Sequence, residues 1–198
     1  MSIAVLGTFF FRSDSVAQEH DARAVANLVL REAWERGLEI SNLKLQKLLF
    51  LCHAFFLVEK GNGLVRGNFV AWRFGPVQKE AYEAFQNFGA NPIKAEAVRV
   101  NPVNGERSKV AAPVDREVVD LVRKIVQFYG SWSASELVEL THAKNGPWDF
   151  VATSAAKNAN MGLRISDEII AQRFKYHWFG EKRNLSGEEP NDDRPIVA

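Results

Sequence analysis

The chain has 198 residues, of which 46% are hydrophobic, and this length is enough for one domain with a substantial core. Its formal net charge of +1 excludes a strong bulk attraction to nucleic acid or to an anionic membrane. One cysteine excludes an internal disulfide and a cysteine-rich zinc site, and the four scattered histidines lead us to expect no metal and no cofactor.

The two ends of the chain differ in composition from its middle. Residues 1–19 open with the apolar run MSIAVLGTFFF, which lacks the basic region and the cleavage pattern of a secretory leader, so we expect a cytoplasmic protein. This N-terminal arm either lies on the body or binds a partner. Residues 181–198 carry three basic and five acidic side chains and predict a disordered acidic tail. Residues 20–180 contain no repeat and no linker, and we expect one domain there.

An amphipathic helix is predicted over residues 20–36, because small apolar side chains recur at i, i+3, i+4, i+7 and i+11. Gly37 follows as its C-terminal stop. The apolar positions are Ala22, Val25, Ala26, Val29 and Ala33.

The helix predicted over residues 43–58 is apolar on almost every face, since twelve of its sixteen residues are apolar, including Val58. Such a helix must be surrounded by protein or by lipid. At 1.5 Å per residue it covers about 24 Å, short of the roughly 30 Å core of a bilayer, and lysines interrupt its start. We therefore predict the buried centre of a globular domain, with Ser41 or Asn42 as the N-cap of this helix and Gly61-Asn62-Gly63 as its end.

A small β element is expected after the central helix. Residues 64–73 predict a strand, most clearly over the β-prone Phe69–Trp72. Gly75 predicts a sharp turn into a helix over residues 76–88 that begins at Pro76. Residues 97–100 predict a short strand that pairs either with Phe69–Trp72 or with residues 109–112.

The rest of the chain predicts helices. Asp115 is predicted to cap a helix whose apolar face ends at Gly130, and Ser133-Ala-Ser-Glu136 is a capping-box pattern. Pro147 opens a further turn, and Ser166 caps a last helix that carries Ile169, Ile170, Phe174 and Trp178. The predicted fold is mainly α: a single compact helical domain around a buried central helix, with a small β-hairpin or short sheet.

The sequence provides no pattern typical of catalysis. Cys52 and His53 are neighbours on a helix and point about 100° apart, so they cannot pair with each other. We interpret Cys52 as inert packing and His53 as a hydrogen-bonded core histidine. Phosphate-binding loops and the HExxH pattern are absent from the sequence, so we predict that the protein is not an enzyme and has no catalytic residues.

Three segments carry a family resemblance in their order and spacing: Leu43-Lys-Leu-Gln-Lys-Leu-Leu-Phe50, Ala71-Trp-Arg-Phe-Gly-Pro-Val77 and Leu140-Thr-His-Ala-Lys-Asn-Gly-Pro-Trp148. Together they resemble the Panacea domain, the SocA-like antitoxin family that also includes phage-associated GepA-like proteins. The resemblance spans residues 27–179. Phe50 stands where the family often has tyrosine, which removes one hydroxyl.

The resemblance implies a bacterial or phage antitoxin that neutralises a cognate toxin, encoded by an adjacent gene, through direct binding. It also implies a rigid shared scaffold with a variable surface that supplies specificity. The residues that it singles out for partner binding or as motif positions are Gln46, Lys47, Phe50, Trp72, Gly75, Pro76, His142 and Trp148.

Several of these residues have alternative roles at the level of sequence. Lys47 either extends its ammonium to solvent at the helix start, pairs with a carboxylate or faces a partner. Trp72 and Trp148 belong to the core or contact a partner. His142 binds a backbone carbonyl or lines a pocket with Trp148 and Lys47, whereas Gly75 and Pro76 have conformational roles.

Three other functions compete with neutralisation by binding. An adaptor would deliver the bound partner to a protease or chaperone, and the exposed apolar terminus Pro195-Ile-Val-Ala198 would suit it. A DNA-binding autorepressor is disfavoured, because basic residues are dispersed among acidic ones and no recognition helix is basic. An enzyme would require a pocket with perturbed titratable groups.

Overall fold

The computed structural model of the chain describes residues 19–157 and 162–176. The predictions for the N-terminal arm up to residue 18, for the acidic tail and for Trp178 lie outside these ranges. Within them the helices are α1 (Ala22–Trp34), α2 (Asn42–Lys60), α3 (Lys79–Phe85), α4 (Arg116–Tyr129), α5 (Ala134–Thr141), α6 (Pro147–Lys157) and α7 (Asp167–Arg173). The strands are β1 (Phe69–Trp72), β2 (Gly75–Val77), β3 (Val98–Val100), β4 (Arg107–Lys109) and β5 (Arg164–Ile165). The predicted class, mainly helical with little sheet, is confirmed.

Helix α2 is the centre of the fold, as predicted. The Ser41 side chain accepts a hydrogen bond from the Lys44 N–H at its start, and Gly61 ends it with a φ of 79°. Helices α1, α3, α4, α5 and α7 pack around it, which explains why fourteen of its nineteen residues are buried. Val58 is the exception to the predicted apolar packing, because it lies 56% exposed in the last turn of α2. No helix in the described ranges is both long and apolar enough to cross a membrane.

Helix α1 confirms the predicted amphipathic pattern, because all five of its predicted apolar positions are fully buried. The helix begins at Ala22, later than residue 20, since the Asp21 side chain accepts a hydrogen bond from the Arg23 N–H and sets the N-cap. At the other end, Gly37 has a φ of 67°, and the Leu38 N–H donates to the Ala33 carbonyl at 2.9 Å.

The prediction that Pro76 begins a helix is wrong. Arg73 and Phe74 form a two-residue loop, after which Gly75–Val77 return antiparallel to β1, with Ala71 opposite Pro76. Strand β2 is at the edge of the three-stranded sheet β2-β1-β5, where a proline removes no hydrogen bond from the interior of the sheet. Helix α3 begins only at Lys79, after the N-cap residue Gln78.

Strand β5 was not predicted, because two residues are too few to give a periodic pattern. Phe69 lies opposite Ile165, so Ile165 belongs to the sheet, and the closing helix starts at Asp167 after its Ser166 cap. The predicted pairing of residues 97–100 with Phe69–Trp72 is wrong. The alternative is confirmed in part, because β3 pairs with β4 and Val98 lies opposite Lys109.

The later helices follow the predicted boundaries. Helix α4 starts after Asp115 and ends at Gly130 as predicted, but the predicted side-chain cap is wrong, because Asp115 is at the N-cap position without a capping hydrogen bond from its side chain. Helix α5 has the predicted capping box, in which Ser133 and Glu136 each accept a hydrogen bond from the backbone of the other. Helix α6 begins at Pro147 as expected.

Candidate functional site

The sequence-predicted site residues come together where α2 packs against the β1–β2 hairpin and the segment joining α5 to α6 lies beside it. The members of this junction differ in burial. Its buried members are Gln46, Lys47, Phe50, Trp72, Gly75 and Pro76. His142 and Trp148 are half-buried at its edge.

Lys47 is fully buried, and its Nζ donates a hydrogen bond to the Pro76 carbonyl oxygen at 3.1 Å. Of the three alternatives predicted for Lys47, the one in which its ammonium extends to solvent is therefore wrong. The residue is on a face of α2 that the hairpin covers, so the side chain has no exposed surface to offer a partner in this conformation. Its hydrogen bond ties the edge strand β2 to the central helix.

Gly75 makes this close approach possible. A Cβ atom on Gly75 would lie 2.8 Å from Thr141 Oγ1 and 3.0 Å from Lys47 Nζ. Its φ of 107° is also in the region that favours glycine. Gly75 therefore has a conformational role, since only a residue without a side chain fits between α2 and α5.

Gln46 and Phe50 complete the contacts of α2 with the surrounding elements. Gln46 Oε1 accepts a hydrogen bond from the Gln78 N–H at 3.0 Å, which fixes the chain just before α3. Phe50 meets Phe69 edge-on with ring centroids 5.3 Å apart, and Phe174 at 6.3 Å. Both side chains stabilise the scaffold from within.

His142 and Trp148 form a stacked pair at the rim of the junction. Their rings are 7° from parallel with centroids 3.5 Å apart, and Trp148 Nε1 donates to the Trp72 carbonyl at 2.8 Å. His142 Nε2 is buried and has no hydrogen-bond partner within residues 19–157 and 162–176. Burial, reinforced by the positive charge of Lys47 and partly opposed by Asp149, lowers the pKa of His142 to about 4. The imidazole is consequently neutral at pH 7.

The prediction of a hydrogen-bonded core histidine at position 53 is confirmed. His53 is fully buried, its Nδ1 accepts a hydrogen bond from the Val65 N–H at 3.3 Å, and its Nε2 lies 3.0 Å from Asp167 Oδ1. Since Nδ1 accepts, Nε2 carries the hydrogen and donates it to Asp167. Sequence reasoning missed Asp167 because 114 residues separate the two partners.

Cys52 lies in the core next to this histidine. Burial raises the pKa of its thiol, so the group stays protonated at neutral pH and packs as an apolar side chain. Across the part of the chain that the structure describes, no group of three or more His, Cys, Asp or Glu residues is arranged to hold a metal ion.

The comparison with known proteins assigns the chain to a family. The family described as Antitoxin SocA-like, Panacea domain, matches residues 45–149, which include the whole junction from Gln46 to Trp148. The chain belongs to this family. A curated relative of the Panacea-domain chain is Antitoxin SocA from Caulobacter vibrioides (strain NA1000 / CB15N). It is 42% identical over 159 residues, which cover 80% of this chain and 85% of the relative. None of the solved structures matches the chain significantly.

The exposed surface of this Panacea-domain protein carries large apolar residues whose exposure was not predicted from the sequence. The most exposed is Val103 at 93%, and Phe128 is 70% exposed at the end of α4 beside Tyr129. Val98 and Val100 are 40% and 52% exposed on the β3–β4 hairpin. The sequence signal that could have indicated this exposed hairpin is the alternation of valine and arginine in Val98-Arg99-Val100, in a segment without helical periodicity.

Proposed function

We propose that this chain neutralises a cognate toxin protein by binding it directly, without catalysing a reaction, in the cytoplasm of a bacterial cell. Its membership of the SocA-like antitoxin family supports this proposal, as does the 42% identity with a protein named Antitoxin SocA. The aligned region covers most of both proteins, so the similarity concerns most of the chain and not a single segment.

The observation that carries the binding mechanism is the burial of the polar family residues. Lys47 and Gln46 are fully buried and bond to the chain around β2, so they hold the scaffold together. A fixed interior of this kind leaves the exposed side chains free to vary with the toxin. We accordingly place toxin recognition on exposed surface and scaffold stability in the junction.

The test is co-expression with the product of the adjacent gene. That product is expected to stop growth when expressed alone, to be tolerated with this chain, and to co-purify with it. The matched control is this chain carrying a substitution that prevents folding, such as Leu49→Asp in the fully buried core, which should restore toxicity. A toxin that stays lethal beside the folded chain and elutes separately from it would remove the proposal.

Steric blocking and delivery to a protease or chaperone predict different effects of removing residues 181–198. The segment Pro195-Ile-Val-Ala198 contains apolar residues that a protease or chaperone could bind. Truncation after Gly180 should leave both binding and neutralisation unchanged for a steric blocker. An adaptor that uses this terminus would keep toxin binding but lose toxin turnover, measured by the toxin half-life after translation is stopped.

A further inference from the structure

The β3–β4 hairpin is exposed on both faces. All six of its strand residues are exposed, and it forms a two-stranded sheet of its own, separate from β2-β1-β5. An isolated two-stranded hairpin is at best marginally stable in water. This hairpin therefore depends on contacts at its base for its position.

Those contacts come from α1. Asn27 is fully buried, and its side chain accepts a hydrogen bond from the Ala97 N–H at 2.7 Å and donates to the Val110 carbonyl at 2.9 Å. Asn27 thereby bonds to the residue before β3 and to the residue after β4, where the two strands of the hairpin leave the helical domain. Arg99 Nη2 also lies 3.3 Å from Asp21 Oδ2 at the N-cap of α1.

The segment leading into the hairpin is held along the rest of α1. Arg31 forms a two-bonded ion pair with Glu96, and the Trp34 Nε1 donates to the Ile93 carbonyl at 3.2 Å. Residues 93–99 thus run antiparallel to α1, with contacts from its last turn at Trp34 to its N-cap at Asp21. The base of the hairpin is fixed, whereas its strands project into solvent.

The side chains on one face of the hairpin combine apolar and basic groups. The pairing places Val98 opposite Lys109 and Val100 opposite Arg107, so these four side chains share a face. Neither Arg107 nor Lys109 has a carboxylate oxygen within 4.0 Å in the described ranges, and the charge of Lys109 contributes, after that of Arg31, to lowering the pKa of Glu96. Val103 extends the apolar surface at the tip. We call Val98, Val100, Arg107 and Lys109 the hairpin face.

We propose that the hairpin face is the toxin-binding surface and that its occupant is an extended segment of the toxin with acidic and apolar side chains. This inference rests on the proposed function and names its surface. Acidic groups would complement Arg107 and Lys109, and apolar groups would cover the two valines. Each strand of the hairpin has a neighbour on one side only, so the backbone of an extended segment can pair with a free edge.

The fixed base favours binding, because a surface that is already ordered loses little conformational entropy when a partner docks. The aromatic cluster around Phe128 is the main competitor on this molecule. It lacks both the strand edges and the pair of cations beside exposed valines that the hairpin face carries.

The test measures binding of the purified product of the adjacent gene to variants of the full chain. The double variant Arg107→Glu with Lys109→Glu reverses the charge of the hairpin face. The matched control is Lys124→Glu with Lys157→Glu, which reverses two exposed lysines on α4 and α6. Circular dichroism melts confirm that both proteins fold. We expect the hairpin variant to bind about tenfold or more weakly and the control to stay within about twofold of wild type.

The salt dependence of the association rate provides a second readout, because a substitution that only perturbs the structure of the chain would not change it. If the hairpin face attracts an acidic segment, raising the salt concentration slows association of the wild type and of the control. Association of the charge-reversed hairpin variant should depend less on salt. A further double variant, Val98→Ser with Val100→Ser, is expected to raise the dissociation rate while leaving the salt dependence unchanged.

Each other outcome would overturn the inference. If wild type binds the toxin and the hairpin variants bind equally well, the inference fails while the proposed function stands. If wild type does not bind the toxin, both the inference and the proposed function fail.

A further variant, Phe128→Ala, tests the competing aromatic surface. Equal losses of toxin binding in the charge-reversed hairpin variant and in the lysine control exclude the hairpin face, as does a loss of binding that occurs only in Phe128→Ala. If charge reversal weakens binding only when residues 181–198 are present, the occupant is the acidic tail of this chain. If it changes only the oligomeric state in solution, the occupant is a second copy.

Discussion

The ammonium group of Lys47 donates a hydrogen bond at 3.1 Å to the carbonyl oxygen of Pro76, so a cation in the central helix is bonded to the backbone of an edge strand. The Lys47 side chain is fully buried, and truncation would remove this bond and leave a cavity. We expect Lys47→Ala to lower the free energy of unfolding by about 2–4 kcal/mol, measured by urea denaturation. Lys124→Ala on the exposed side of α4 is the control and should change it by less than about 0.5 kcal/mol. A loss below about 1 kcal/mol for Lys47→Ala would contradict the structural role.

Gly75 allows a second prediction, with a glycine in open space as its control. In Gly75→Ala the new Cβ would lie 2.8 Å from Thr141 Oγ1, and the backbone would be held at a φ of 107°. Both effects destabilise the fold, and we expect a loss of about 2–4 kcal/mol in the free energy of unfolding. Gly61→Ala should cost only about 1 kcal/mol, because Gly61 is left-handed with a φ of 79° and a ψ of 3° but has no atom within 4 Å of the added Cβ. Equal losses in the two variants would show that contact with Thr141 is unimportant.

The pKa of His142 predicts how stability depends on pH. The group has a pKa of about 4 in the folded protein and near 6.5 when unfolded, so between these values the unfolded chain binds more protons. Stability should therefore be highest above pH 6.5 and decrease as the pH falls toward 4, by up to about 3 kcal/mol. Denaturant titrations at successive pH values measure this slope.

The control for this prediction is His142→Gln, which stays neutral over the whole range. Its free energy of unfolding should fall less steeply between pH 6.5 and 4 than that of wild type. Asp21 does not obscure the comparison, because the pKa of its carboxyl is held at about 2 by Arg23, so its contribution is lost below pH 3.8. Parallel slopes for wild type and variant would show that His142 titrates normally.

The parts of the fold that sequence predicted are those set by local chemistry. Ser41 and Ser133 cap their helices through bonds to residues three positions away, and Gly61 ends α2 through its own backbone conformation. The burial of α2 followed from its apolar composition alone. The helix wrongly assigned to Pro76 shows the limit of this reasoning, since pairing with Ala71 in β1 overrode the local preference for a helix start.

The candidate site was predicted as a set of residues but not as a geometry. Lys47 and Pro76 are 29 residues apart, and His53 and Asp167 are 114 apart, so neither bond leaves a periodic signal. The hairpin face was missed for a different reason. Val98 and Val100 were expected in a short strand, but whether a strand is covered or exposed depends on which elements pack against it, and sequence left its pairing undecided.

The anchoring of the hairpin by Asn27 gives the last prediction. Asn27→Ala would leave the Ala97 N–H and the Val110 carbonyl without their side-chain partner in a buried position. We expect a loss of about 2–4 kcal/mol in the free energy of unfolding and faster amide hydrogen exchange in residues 97–110, because the base of the hairpin is no longer fixed.

Asn91→Ala, at an exposed asparagine just upstream, is the matched control and should leave both quantities unchanged. If binding to the toxin uses an ordered hairpin, Asn27→Ala should also weaken it, since the partner must then order the hairpin as it docks. Faster exchange spread over the whole chain, rather than concentrated in residues 97–110, would show that Asn27 stabilises the core in general and does not hold the hairpin.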